Sequence, residues 1–130
     1  MGKKISKARA KKLFDNWASG NGPGKAVSDA GYKDTYESWF SAKELRDYCQ
    51  EVIDAIGEEN NPGIRIYFGS YGNDAGSKEK QSTVFLAPTS GGSETYGMED
   101  GILEPVPEND GNIDPYNLGQ AGMPPMPYNP

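Results

Sequence analysis

The sequence predicts an α+β fold: two helices packed on a small antiparallel β-hairpin, followed by a long irregular tail. Three observations carry that expectation. Residues 39–69, WFSAKELRDYCQEVIDAIGEENNPGIRIYFG, join a capped amphipathic helix to an alternating strand. Residues 5–17 repeat an apolar face at helical spacing. The 17 Gly and 10 Pro of this 130-residue chain collect at 20–24, 57–76 and throughout 88–130. With only 35% hydrophobic residues and a mean hydropathy of −0.77, the chain has material for one core. We therefore expect a compact α+β domain over residues 1–88 and an extended acidic, Pro/Gly-rich tail over 89–130.

The first helix is expected over Ile5–Trp17, capped by Ser6 and ended at Gly20. Ala10, Leu13, Phe14 and Trp17 share one face, and Lys7, Lys11 and Lys12 lie largely on the other. Residues 18–38 read as a long loop broken by Gly20, Gly22, Pro23 and Gly24, with a short helical turn near Lys25–Ala30. Ala26, Val27, Tyr32 and Tyr36 are its anchors.

The central helix has a capping box, Ser41-Ala42-Lys43-Glu44, and a hydrophobic staple between Phe40 and Leu45. Leu45, Tyr48, Cys49, Val52, Ile53 and Ile56 keep helical spacing, and Gly57 is placed as the C-cap. Asn60-Asn61-Pro62-Gly63 reads as a type II turn. In the strand that follows, Ile64, Ile66 and Phe68 share one face, with Arg65 and Tyr67 on the other. Residues 69–80 form the hairpin loop and 81–88 the returning strand, with Pro88 ending the ladder. A third strand is open at Ile102–Val106. The end, GMPPMPYNP, favours a polyproline path.

The net charge of −6 conceals a polarity. Residues 1–12 carry six bases and no acid, whereas residues 81–130 carry seven acids and no base. Such ends attract each other or different partners. No apolar segment reaches the roughly 18 residues of a membrane span, and none follows the basic N-terminus as a secretory core would. A single cysteine, Cys49, fits a reducing, cytoplasmic setting and reads as a buried small hydrophobe.

The chain has no histidine, which removes the usual general base, the commonest zinc ligand and every histidine-activated nucleophile. Neither a GxxxxGK[ST] nor a strand-to-helix GxGxxG run is present. Glu108–Asp114 echoes the centre of a calcium loop, but that alignment puts Val106 and Asn117 where carboxylates belong, so the segment reads as an acidic turn. Glu58 and Glu59 have no evident acid–base partner. The N-terminal bases with Phe14 and Trp17 suit phosphate contacts poorly, because the core claims those aromatics and the pI is about 4.6.

GIRIYFG at 63–69, the Trp39-Phe40-Ser41-x-x-Glu44-Leu45 helix start and STVFLAP at 82–88 resemble a family of small uncharacterised Bacteroidota proteins. The resemblance covers roughly residues 5–88 and implies the fold but no activity. Some members end in a Cys-Pro-rich tail, which GMPPMPYNP lacks.

The expected function is non-enzymatic interaction or assembly, through the charged ends and the tail, with a protein partner or as a homo-oligomer. No catalytic, cofactor or metal residue is assigned, and neither nucleic acid nor membrane is an expected partner. Lys7, Lys11, Arg65, Tyr67, Tyr71, Tyr116 and Tyr128 are the candidate interaction residues. A small-ligand or calcium-binding module and a histidine-free enzyme stay open as alternatives.

Overall fold

The computed structural model of the chain describes residues 2–29, 34–71, 81–92 and 106–117. They form three helices, α1 (Lys7–Ala18), α2 (Lys25–Asp29) and α3 (Ala42–Ile56), and a short 3-10 turn, Glu58–Asn60. Three strands, β1 (Gly63–Ser70), β2 (Ser82–Ser90) and β3 (Glu108–Asn109), make one sheet in the order β1-β2-β3. The expected α+β class is therefore present. Tyr32, most of the hairpin loop, residues 102–105 of the open third strand and the Pro-rich end lie outside the described residues.

The described residues divide into two units, one holding 40–68, 84–92 and 106–117, the other 2–29, 34–39, 69–71 and 81–83. In the first, α3 begins where the capping chemistry places it: Ser41 Oγ accepts from the Glu44 N–H at 3.4 Å. Glu44 Oε2 accepts from the Tyr116 hydroxyl at 3.2 Å, so the helix start also anchors a distant segment. Gly57 closes the helix with its N–H on Ile53 O at 2.8 Å and a φ of 90°, which a side chain would strain.

The turn after α3 differs from the expected type II turn. Gly63 has no positive φ. The left-handed residue is Asn61 (φ 52°), an identity that tolerates αL. Its Nδ2 donates to Gly91 O, and the Gly91 N–H donates to Asn60 O, both at 2.8 Å. Those bonds hold the turn against the end of β2. Gly63 is then needed for space, since a Cβ there would lie 2.6 Å from Thr89 Oγ1.

β2 is central and runs through Pro88 instead of stopping there. A central proline normally breaks a ladder. Here Pro88 points its backbone toward β3, where its carbonyl accepts from the Asp110 N–H at 2.9 Å. Its missing N–H costs the β1 side nothing, and its ring is fully buried.

The core of this unit is Tyr48, Val52, Leu86 and Ile113, flanked by Phe40, Leu45, Ile56, Ile64 and Tyr116. Residues 106–117 belong to the region read from sequence as tail. They supply β3, which pairs antiparallel with Thr89 and Ser90, and the buried Ile113. Leu86 and Tyr116 exchange backbone bonds of 2.8 and 2.9 Å. Tyr116 stacks on Tyr48 with centroids 5.0 Å apart, and Phe40 lies 5.8 Å away. Tyr48 donates to Asp114 O at 2.9 Å. Cys49 is half-buried on α3, less enclosed than its place on the stripe suggests.

In the second unit, Ser6 caps α1 by accepting from the Arg9 N–H at 3.0 Å. Phe14 and Trp17 both meet Tyr36 edge-on, at 5.4 and 6.4 Å. The Gly24 N–H donates to Trp17 O at 2.7 Å, and α2 packs beside α1. Asp34 ties the start of β2, with Oδ1 accepting from the Ser82 N–H at 2.7 Å and Oδ2 from Ser82 Oγ at 2.8 Å.

Two outcomes follow from this packing. A Cβ at Gly24 would sit 2.3 Å from the Trp17 ring, so Gly24→Ala must displace that ring and cost about 1–3 kcal/mol. Thermal unfolding followed by tryptophan fluorescence checks this, and an unchanged midpoint contradicts it. Burial, then the neighbouring charges of Glu51, Cys49 and Asp114, raise the Tyr48 phenol above its ordinary 10.0. Burial and the Glu44 hydrogen bond raise Tyr116 likewise. The folded state then holds protons that the unfolded chain loses. That stability is complete below pH 10.0 and is lost as pH rises from there through the folded values. Denaturant titration at pH 8 to 11.5 should show the decline, flattened in Tyr48→Phe, which itself costs about 1 kcal/mol at pH 8.

Candidate functional site

The backbone of β2 decides what β1 presents. Leu86 and Pro88 bond toward the β3 side, so alternation turns residues 85, 87 and 89 toward β1. Tyr67 stacks on Phe85 at 5.2 Å and 18°, and Gly63 abuts Thr89, which fixes one antiparallel register. Residues 63, 65 and 67 therefore direct their backbone bonds at β2. Ile64, Ile66 and Phe68 aim theirs outward, and among the described residues β1 is an edge strand.

The side chains on this strand divide by face. Ile64 lies against the core, but Ile66 is 60% and Phe68 89% exposed. The three share one face, as the alternation of the strand predicts, yet only the first of them is covered. Within this unit α3 covers the Leu86 row and Ile64, and the outer strand overhangs it. Phe68 is an aromatic residue with nearly its whole ring in water, the kind of exposure that marks interaction surfaces when it is contiguous.

The opposite face holds a polar network. Arg65 Nη1 donates to Asn109 Oδ1 and Nη2 to Pro107 O, both at 2.7 Å. Asn109 Nδ2 donates to the Tyr67 hydroxyl at 2.8 Å. Strands lie about 4.8 Å apart, so a side chain that starts on β1 and ends on β3 must cross β2. It crosses at Ala87 and Thr89, 5% and 4% exposed, where small residues leave room for the stem. The Asn109 bond, then the Arg65 bond, lower the Tyr67 phenol below its ordinary 10.0.

Of the expected interaction residues, Arg65 and Tyr67 come together through Asn109. Tyr116 belongs to the core of the same unit, where its backbone and ring are already used. Lys7 and Lys11 lie on α1, where Lys11 Nζ donates to Asp15. Tyr71 donates its N–H to Gln81 O at 3.0 Å. Tyr128 lies outside the described residues. Sequence reasoning missed Asn109, which it placed in an acidic turn, and Phe85 as the partner of Tyr67. The alternation of β2 held the second signal; nothing local held the first.

Glu59 and Asp110 border an open, mostly polar concavity of about 460 Å³ beside Asn61 and Gly91. Asp110 Oδ1 already accepts from the Asn112 N–H at 2.9 Å. Among the described residues, no group of three or more acids, cysteines or histidines is placed to hold a metal ion. No helix among them is long and apolar enough to cross a membrane. No protein-family model, curated protein or solved structure matches the chain.

The Arg65–Asn109–Tyr67 network has a spectroscopic signature. Ultraviolet or NMR titration should find Tyr67 ionising below its ordinary 10.0 and ahead of Tyr48 and Tyr116, and Asn109→Ala should move it upward. Coincident titration of all tyrosines in both proteins contradicts the network.

Proposed function

We propose that the chain is a non-enzymatic interaction or assembly protein that makes its contacts with a protein partner or with its own copies. The observation that carries this reading is an edge strand bearing Ile66 and Phe68, 60% and 89% exposed. Edge strands are usually blunted by an exposed charge, a proline or a bulge. β1 has no lysine or proline, and its one charge, Arg65, is drawn across the sheet to Asn109 and Pro107. The charge polarity of the chain supports the same reading, with exposed Lys7 and Arg9 at one end and exposed Glu108 and Asp114 toward the other. The absence of histidine leaves catalysis without its usual base.

Sedimentation velocity on the full chain tests this between about 10 and 500 µM, the range in which small interfaces associate. Mass should rise with concentration. A single monomer boundary throughout, at low and high salt, overturns self-association.

A further inference from the structure

We propose that two copies of the chain pair edge to edge through β1, antiparallel about a two-fold axis at Ile66, in one continuous six-stranded sheet. This rests on the interaction reading above and names its partner as a second copy.

Backbone parity gives the first support. Ile64, Ile66 and Phe68 aim their N–H and C=O groups away from β2, as the Leu86 and Pro88 bonds require. On a two-fold at Ile66 these groups meet their own kind: Ile66 exchanges both bonds with Ile66, and Ile64 with Phe68, in each direction.

Side-chain chemistry then selects the register. With Ile66 on the axis, Ile66 faces Ile66 and Ile64 faces Phe68, so every outward apolar residue meets another. On the other face Arg65 stands opposite Tyr67. A shift that centres on Arg65 pairs Ile64 with Ile66 but puts Phe68 opposite Pro62, beyond the start of the partner strand, and loses its apolar neighbour. A shift that centres on Tyr67 sets Ile64 against Ser70 and loses an apolar pair. The palindromic pattern Ile-Arg-Ile-Tyr-Phe thus suits one antiparallel arrangement best.

Area sets the strength. At their exposures, Phe68 and Ile66 offer roughly 250 Å² per copy, so a pair buries roughly 500 Å² from these side chains. Stable interfaces bury about 1,200 Å² or more, so this contact is weak and exchanging, with Kd roughly 10–100 µM.

The test uses full-length Cys49→Ser protein with one new cysteine. In the bonded pair at the axis, Cα atoms stand about 5.5 Å apart, within disulfide reach. Ile66→Cys should form a covalent dimer under mild oxidation, whereas Phe68→Cys should not, because each Phe68 faces Ile64 of the other copy. Phe68→Glu should weaken dimerisation at least about tenfold in sedimentation, with its thermal midpoint unchanged because the residue is exposed. If mass rises with concentration but Ile66→Cys crosslinks no better than Phe68→Cys, edge pairing is overturned and the interaction reading stands. If mass rises and Phe68→Glu dimerises as well as the parent, the result is the same. A monomer at every concentration overturns edge pairing and self-association together, and leaves the interaction reading to a different protein partner.

Discussion

The exchange of backbone bonds between Leu86 and Tyr116, roofed by Tyr48, is the constraint on which the first unit depends. It joins the middle of β2 to residues 30 positions further along the chain. The ring of Tyr116 lies on Tyr48, and the Tyr48 hydroxyl satisfies Asp114 O. A short segment with one strong hydrophobe, Ile113, would bury too little area to hold itself in place. Two aromatic rings and three backbone-directed hydrogen bonds provide what Ile113 alone lacks.

That clasp also orients the sheet. Once the even-numbered residues of β2 are committed to the β3 side, the odd ones must face β1, and β1 must offer its own even positions outward. The tolerance of Pro88 in a central strand comes from the same alternation, since its missing donor falls where only its carbonyl is needed. α3 packs Leu45, Tyr48, Val52 and Ile56 on this core, with Phe40 just before its cap beside Tyr116. Its stripe covers the central strand and one residue of the outer one. Ile66 and Phe68 are exposed because a single helix on this unit is too narrow for the rest of the strand.

Much of the local structure was legible in residues 39–69. The Ser41 cap and the Gly57 stop each depend on neighbours within about one helical turn, so the sequence displays both partners together. The same holds for Ser6 on α1 and for the strand alternation that separated Arg65 and Tyr67 from Ile64. Asn60-Asn61-Pro62-Gly63 was legible as a turn but not as the right one. Its geometry is chosen by Gly91 and Thr89, which lie near it only after the hairpin closes. Tyr116 and Asn109 were read as surface or acidic turn because the residues around them are polar and glycine-rich.

The sequence by itself determined the helices, their caps, the hairpin and the charge polarity. These follow from periodicity and from hydrogen bonds within a few residues. Tertiary structure decided which apolar residues are covered, where β3 forms, how Pro88 is accommodated and that Arg65 spans the sheet to Asn109. Each of those depends on pairing across dozens of residues. In such pairing, a side chain's neighbours are set by strand register and by the width of one helix, and its own identity does not reveal them.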